Sequence, residues 1–184
     1  MCRPPVCATT FASTSLGVGW TNKSKYASLF AGVAAGRGSI TEALATPGLR
    51  IGRTDPTVDP KGAYTVEAMK LLAGDTAEKR VLGADANPAQ VFPEEVLLTR
   101  LDAGEIDLGF FYRTEAIARG LHFVALPGKA SLSEKITYTL AIMKAAPHPD
   151  QAKAFADFIV RGAGKSILQK AGIEYFPTPK VVVQ

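Results

Sequence analysis

Apolar and polar positions change period repeatedly along the chain, and the changes outline an alternation of strands and helices. Over residues 15–21, Leu16, Val18 and Trp20 alternate with Ser15, Gly17 and Gly19, the period of a strand. Residues 24–30 predict a short helix and 32–38 a glycine-rich loop. Ser39 is positioned to cap a helix through Ile40 and Leu44, with Glu42 near its third position, and Pro47-Gly48 ends it. Residues 49–52 are extended, and 63–73 then set Val66, Met69 and Leu72 on one helical face. Val81 and Leu82 suggest a short strand. Pro93 opens a helix bearing Val96, Leu97 and Leu101, stopped at Gly104. Residues 106–111 form a nearly continuous apolar run, as in a buried parallel strand. A short helix over 114–119, a strand over 121–126, a Pro127-Gly128 turn and a buried strand over 137–145 follow. Pro149 opens a helix with Ala152, Phe155, Ala156 and Ile159 on one face, and residues 163–171 give another, stopped by Gly172. This alternation predicts an α/β fold around a mostly parallel sheet with covered faces. Residues 1–10 carry no period and are expected to be irregular.

Composition narrows the function classes. A chain of 184 residues can make one domain or two small lobes sharing a core. Its 47% hydrophobic and 21% charged residues are ordinary for a globular protein. The net charge of +4 is dispersed, with no Lys/Arg block or aromatic-basic repeat, which argues against a nucleic-acid track. No run approaches the ~18 apolar residues of a membrane span. The start of the chain has Arg3, then two prolines, and no apolar run of signal-peptide length, so the chain as written is expected to stay in the cytoplasm. Cys2 and Cys7 cannot complete a zinc site alone, and His122 and His148 stand apart from any ligand companions. No Ser-His-Asp set, Cys-His pair or carboxylate-rich metal cluster is evident, so no catalytic residue, cofactor or metal is assigned.

Two strand-to-helix turns carry the candidate chemistry. One reads Gly52-Arg53-Thr54-Asp55-Pro56-Thr57-Val58-Asp59-Pro60-Lys61-Gly62, between an extended run and a helical one. The first N–H groups of a helix have no internal partner, so such turns bind small anions. The other is Leu108-Gly109-Phe110-Phe111-Tyr112-Arg113. Parallel strands deliver their carboxyl ends to one side, which puts both turns at the same sheet edge. Asp55 is a turn former. Arg53 and Arg113 flank the turns and are expected to make salt bridges between neighbouring strand ends. The segment Gly36-Arg37-Gly38-Ser39 is too generic for a phosphate loop and reads as a plain turn.

With these stretches in place, the chain resembles the molybdate/tungstate-binding proteins of ABC importers, within the type II periplasmic solute-binding family. The resemblance rests on Ser24-Lys25-Tyr26, on Gly52 to Pro56 with Asp59-Pro60-Lys61-Gly62, and on Leu101-Asp102-Ala103-Gly104-Glu105-Ile106-Asp107. It continues in Tyr112-Arg113-Thr114 and in Thr137-Tyr138-Thr139 with Ala141-Ile142-Met143-Lys144. It implies a periplasmic-binding-protein-like α/β fold in which two lobes clamp an oxyanion. Mapped here, 11–120 resemble the complete middle lobe and 121–184 the carboxyl-terminal part of the first lobe, behind an irregular leader at 1–10. The first lobe's amino-terminal segments, with their serine-bearing loops, and the export leader are expected to be missing. The strands at 121–126 and 137–145 should then lack sheet neighbours, and their exposed edges invite strand-swapped self-association.

The resemblance implies that Asp59, Lys61, Glu94 and Tyr112 face the ligand, and each has a plainer reading. Asp59 precedes Pro60 and suits an N-cap, a role compatible with ligation if one oxygen caps and the other faces the cleft. Lys61 would act through its backbone N–H, with its side chain exposed to solvent; relatives can carry a cysteine there. Glu94 sits in a helical first turn, where the macrodipole alone favours an acid. Tyr112 either packs under its turn or donates its hydroxyl to an anion. Two carboxylates beside an anion favour molybdate or tungstate, whose metal can accept them, over sulfate. The function implied is the solute-binding component of an importer, partnered by an ABC permease outside the cytoplasm. A cytoplasmic oxyanion-sensing domain of a transcription regulator and a non-functional gene fragment are the alternatives, and no helix-turn-helix segment supports the sensor.

Overall fold

The computed structural model describes residues 7–183. In chain order its strands are β1 (Cys7–Ser13), β2 (Leu16–Trp20), β3 (Ile51–Gly52), β4 (Leu108–Tyr112), β5 (His122–Ala125), β6 (Thr137–Ala141) and β7 (Glu174–Val183). Its helices are α1 (Ala27–Ala34), α2 (Ile40–Leu44), α3 (Pro60–Leu82), α4 (Glu94–Ala103), α5 (Arg113–Ala118), α6 (Pro149–Val160) and α7 (Gly164–Lys170), with a 3-10 turn at Gly128–Ser131. Two compact units result, Ser15–Leu132 and a smaller one made of Met1–Thr14 with Ser133–Gln184.

The larger unit is built on a four-stranded sheet of order β3-β4-β2-β5. Central β4, Leu-Gly-Phe-Phe-Tyr, is buried until its last residue. It lies parallel to β3, with Ile51 opposite Leu108, and antiparallel to β2, with Val18 opposite Phe110. On the other side of β2, Val18 also faces Val124 of antiparallel β5. The expected mostly parallel sheet is therefore mixed. Strand–helix alternation marks which segments are extended but not the direction in which each enters the sheet. One face of the sheet packs on a cluster of Phe92, Leu97, Leu101, Ile106, Phe111 and Ala116. Helix α4 supplies Leu97 and Leu101 from one stripe, starts after Pro93 and ends at Gly104 in the left-handed conformation.

Two expectations fail in this unit for identifiable reasons. Val81 and Leu82 close α3 instead of forming a strand, because α3 resumes after a break at Gly74 (φ 78°) and buries Leu82 in its last turn. The strand at 121–126 does have a sheet neighbour, since β5 pairs with β2. Asp107, just before β4, is buried and takes the side chain and backbone N–H of Arg50 on its carboxylate at 2.8–3.0 Å. That ion pair, unremarked in the sequence, fixes the approach of β3 to β4.

The smaller unit has a three-stranded antiparallel sheet of order β6-β1-β7. Residues 7–10, expected to be irregular, belong to β1, and Cys2 with residues 1–6 lies outside the described residues. The strand expected over 137–145 is shorter, pairs with β1, and alternates exposed and half-buried positions instead of being buried. Strand β7 has no counterpart in the sequence reading because Pro177 and Pro179 argue against one. They are tolerated because β7 is an edge strand, and its register against β1 jumps from Tyr175 to Lys180 across them.

Candidate functional site

Helix α3 begins at a tightly built corner. Asp55 Oδ1 accepts the Thr57 N–H at 2.8 Å and the Thr57 hydroxyl at 2.6 Å, closing an Asx turn that holds the Asp55 carboxyl below its ordinary pKa. The chain then extends through Asp59, whose Oδ1 accepts the Lys61 N–H at 2.7 Å, while Pro60 takes the first helical turn. The N-cap reading of Asp59 is thus realised. Gly62 makes the corner possible. A Cβ there would lie 2.6 Å from the Thr54 and Asp55 carbonyl oxygens. The start of α3 therefore packs on the turn's own backbone.

Around this helix start lies a hollow of about 540 Å³ lined by Asp59, Pro60, Lys61, Glu94, Tyr112, Glu115, Ala118 and Arg119. All four residues singled out in the sequence line it. They come from the starts of α3 and α4 and from the end of β4, and the parallel β3–β4 pair brings the two turns to one edge of the sheet. Asp55 stays outside the lining, with its carboxylate committed to Thr57.

Lys61 departs from the expectation of an exposed side chain. It is buried, and its ammonium donates to Glu94 Oε2 and, at 3.0 Å, to Glu115 Oε2. It also sits over the Phe111 ring at 5.4 Å and the Tyr112 ring at 5.9 Å. Two carboxylates and two aromatic faces offset the desolvation that otherwise keeps a lysine outside. Glu115 was not foreseen. It occupies the third position of α5 and accepts the Tyr112 N–H at 3.0 Å, and a glutamate at that position after a strand end is the signal that could have found it. The charged lining has three acids, Asp59, Glu94 and Glu115, against two bases, Lys61 and Arg119.

Arg53 also has a different role from the strand-end salt bridge expected of it. Fully buried, it donates from Nη2 to the carbonyls of Ala84 at 2.8 Å and Asp85 at 3.2 Å, just past the end of α3. Burial lowers its pKa from the ordinary guanidinium value. It ties the far end of α3 to the strand that leads into the near end. Arg113 is exposed. Among the described residues, no group of three or more His, Cys, Asp or Glu side chains could hold a metal ion, and no helix is long and apolar enough to cross a membrane.

Comparison with known proteins gives a consistent picture. A Haloferax volcanii protein named as an ABC-transporter molybdenum-binding protein is 32% identical over 148 residues, 80% of this chain and 42% of that protein. The molybdate/tungstate-binding protein WtpA of Pyrococcus abyssi is 23% identical over 92% of this chain and 62% of its own length. The chain spans about half the length of the curated relatives it matches. Among solved structures, the substrate-binding domain described for a molybdenum ABC transporter of Clostridium difficile superposes with a TM-score of 0.65 at 18% identity, covering 92% of this chain and 66% of that one. Iron-bound HitA of Pseudomonas aeruginosa superposes with a TM-score of 0.51 at 15% identity, over 94% and 60%. These likenesses establish the periplasmic-binding-protein fold, and a family of binding proteins rather than enzymes. With residues 8–174 matching the family model, the chain belongs to the bacterial extracellular solute-binding proteins.

Proposed function

We propose that this chain serves as the solute-binding component of an ABC importer for molybdate and tungstate, with the oxyanion at the hollow formed by Asp59, Lys61, Glu94 and Tyr112. The observation that carries the reading is the convergence of these four side chains on one hollow at the start of a long helix. The names of the relatives support the solute class. So does the chemistry of the lining. Three acids against two bases repel a simple dianion such as sulfate. Molybdenum and tungsten can accept carboxylate oxygens from Asp59 and Glu94, which turns that repulsion into ligation. The start of α3 contributes its positive dipole end, although the Lys61 N–H is already taken by Asp59 Oδ1, and the Tyr112 hydroxyl can donate to an oxo group. In this reading Ser15–Leu132 corresponds to the family's middle lobe, the smaller unit is part of the other lobe, and the partner is the importer's permease outside the cytoplasm.

Titration calorimetry with sodium tungstate, molybdate and sulfate tests this. Saturable binding of the first two, abolished by Glu94→Gln together with Asp59→Asn, is the expected result. Equal affinity for sulfate, or no binding of tungstate or molybdate by the folded chain, overturns it.

A further inference from the structure

Lys61 carries the buried charge of the hollow, and it has two anionic partners where one would neutralise it. Its side chain is 4% exposed, whereas those of Glu94 and Glu115 are 34% and 33% exposed. Both glutamates therefore reach down from the rim to a single ammonium. Their anchoring differs. Glu115 Oε2 is held twice, by Lys61 Nζ and by the Tyr112 N–H, each at 3.0 Å, and so stitches the end of β4 to the first turn of α5. Glu94 stands on another helix, at the first position of α4.

We infer that Glu115 is the standing counter-ion of Lys61, and that it frees Glu94 to exchange Lys61 for a bound oxyanion; this rests on the oxyanion reading above. A buried ammonium that loses its only counter-ion bears an uncompensated desolvation cost. With Glu94 as the sole partner, that cost would hold Glu94 on Lys61 against any ligand. Glu115 removes it, because the ammonium keeps one charge-assisted hydrogen bond and its two aromatic faces after Glu94 turns away. Glu115 is thus a positioning residue. It acts on the ligand through Lys61 and Glu94, and only on an oxyanion whose centre accepts a carboxylate oxygen.

Glu115→Gln tests the idea, because glutamine keeps the side-chain length and an acceptor for the Tyr112 N–H while removing the charge. Taken alone, loss of a negative charge beside the hollow draws any dianion in more strongly. If Lys61 instead claims Glu94, tungstate affinity falls, by on the order of tenfold for one charge-assisted hydrogen bond that must now be broken. The same substitution in a Glu94→Gln background should not lower tungstate affinity further, since Glu94 is no longer there to be claimed. Circular dichroism confirms that each variant is folded. Unchanged or increased affinity in Glu115→Gln overturns the inference, as does an equal loss in the Glu94→Gln background. A folded wild-type chain that binds neither tungstate nor molybdate overturns the oxyanion reading instead, and the inference with it.

Discussion

The two compact units use similar materials to different effect. In Ser15–Leu132 the apolar stripes find partners: Phe30, Val18, Leu97, Leu101, Leu108, Phe110 and Phe111 are all fully buried. In the smaller unit the buried apolar residues, among the described residues, are Phe11 and Ala12 of β1, and none of α6 is buried although its apolar positions fall on one face. Phe155, Phe158 and Ile167 remain exposed there. Helical periodicity shows which face of a segment favours burial. Whether that face is covered depends on a partner elsewhere, and the candidate site is built where the partners are present.

The largest expected effect lies at the centre of the larger unit. Phe110→Ala removes a ring from the middle of β4 and should cost about 3–5 kcal/mol, the usual range for a buried phenylalanine. Urea denaturation followed by Trp20 fluorescence reads this directly, since Trp20, the only tryptophan, is buried on the neighbouring strand. A loss below about 1 kcal/mol would mean that this core is far looser than its burial implies.

The next effect belongs to Asp107. Burial would raise its pKa, but the hydrogen bonds and charge of Arg50 outweigh burial and hold it below the ordinary carboxylate value. A depressed folded-state pKa contributes stability that is present above the unfolded value, about 3.9, and is lost as pH falls through the folded value. Acid titration of stability should therefore show a loss below about pH 4 that Asp107→Asn lacks. At neutral pH that variant should be destabilised by about 1–3 kcal/mol, as Arg50 loses its charged partner. A variant with the wild-type acid profile would refute the assignment.

What the sequence disclosed follows from the range of the forces involved. Helix α4 was legible at both ends because Pro93 and Gly104 act within a turn of themselves. Strand β5 was legible as a strand, but its partner β2 lies about a hundred residues away, as the Trp20–His122 pair illustrates, and pairing at that distance leaves no local mark. Leu82 misled because two adjacent apolar residues fit a buried helical turn as well as a strand. The four positions that the family resemblance marks as facing a ligand all line one hollow. The burial of Lys61 was not legible, because its two partners stand 33 and 54 residues further along the chain. A lone lysine at a helix start gives no sign of them.

The smallest expected effect sharpens the contrast from the other side. A hollow of about 550 Å³ in the smaller unit is lined by Leu140, Ile142, Met143 and Phe155 among others, and Met143 and Phe155 are 67% and 61% exposed. If this face meets only water, Met143→Ser and Phe155→Ser remove little buried area, and each should change stability by no more than about 0.5 kcal/mol. Such a substitution could even improve solubility, since contiguous exposed apolar surface promotes association. Thermal melts at two protein concentrations decide the matter. A concentration-independent melting temperature that barely moves in either variant is the expected outcome. A loss of about 2 kcal/mol or more in the Phe155 variant is what a phenylalanine covered by a partner would give. In that case the difference between the units lies in where their partners come from, and no longer in how well each is packed.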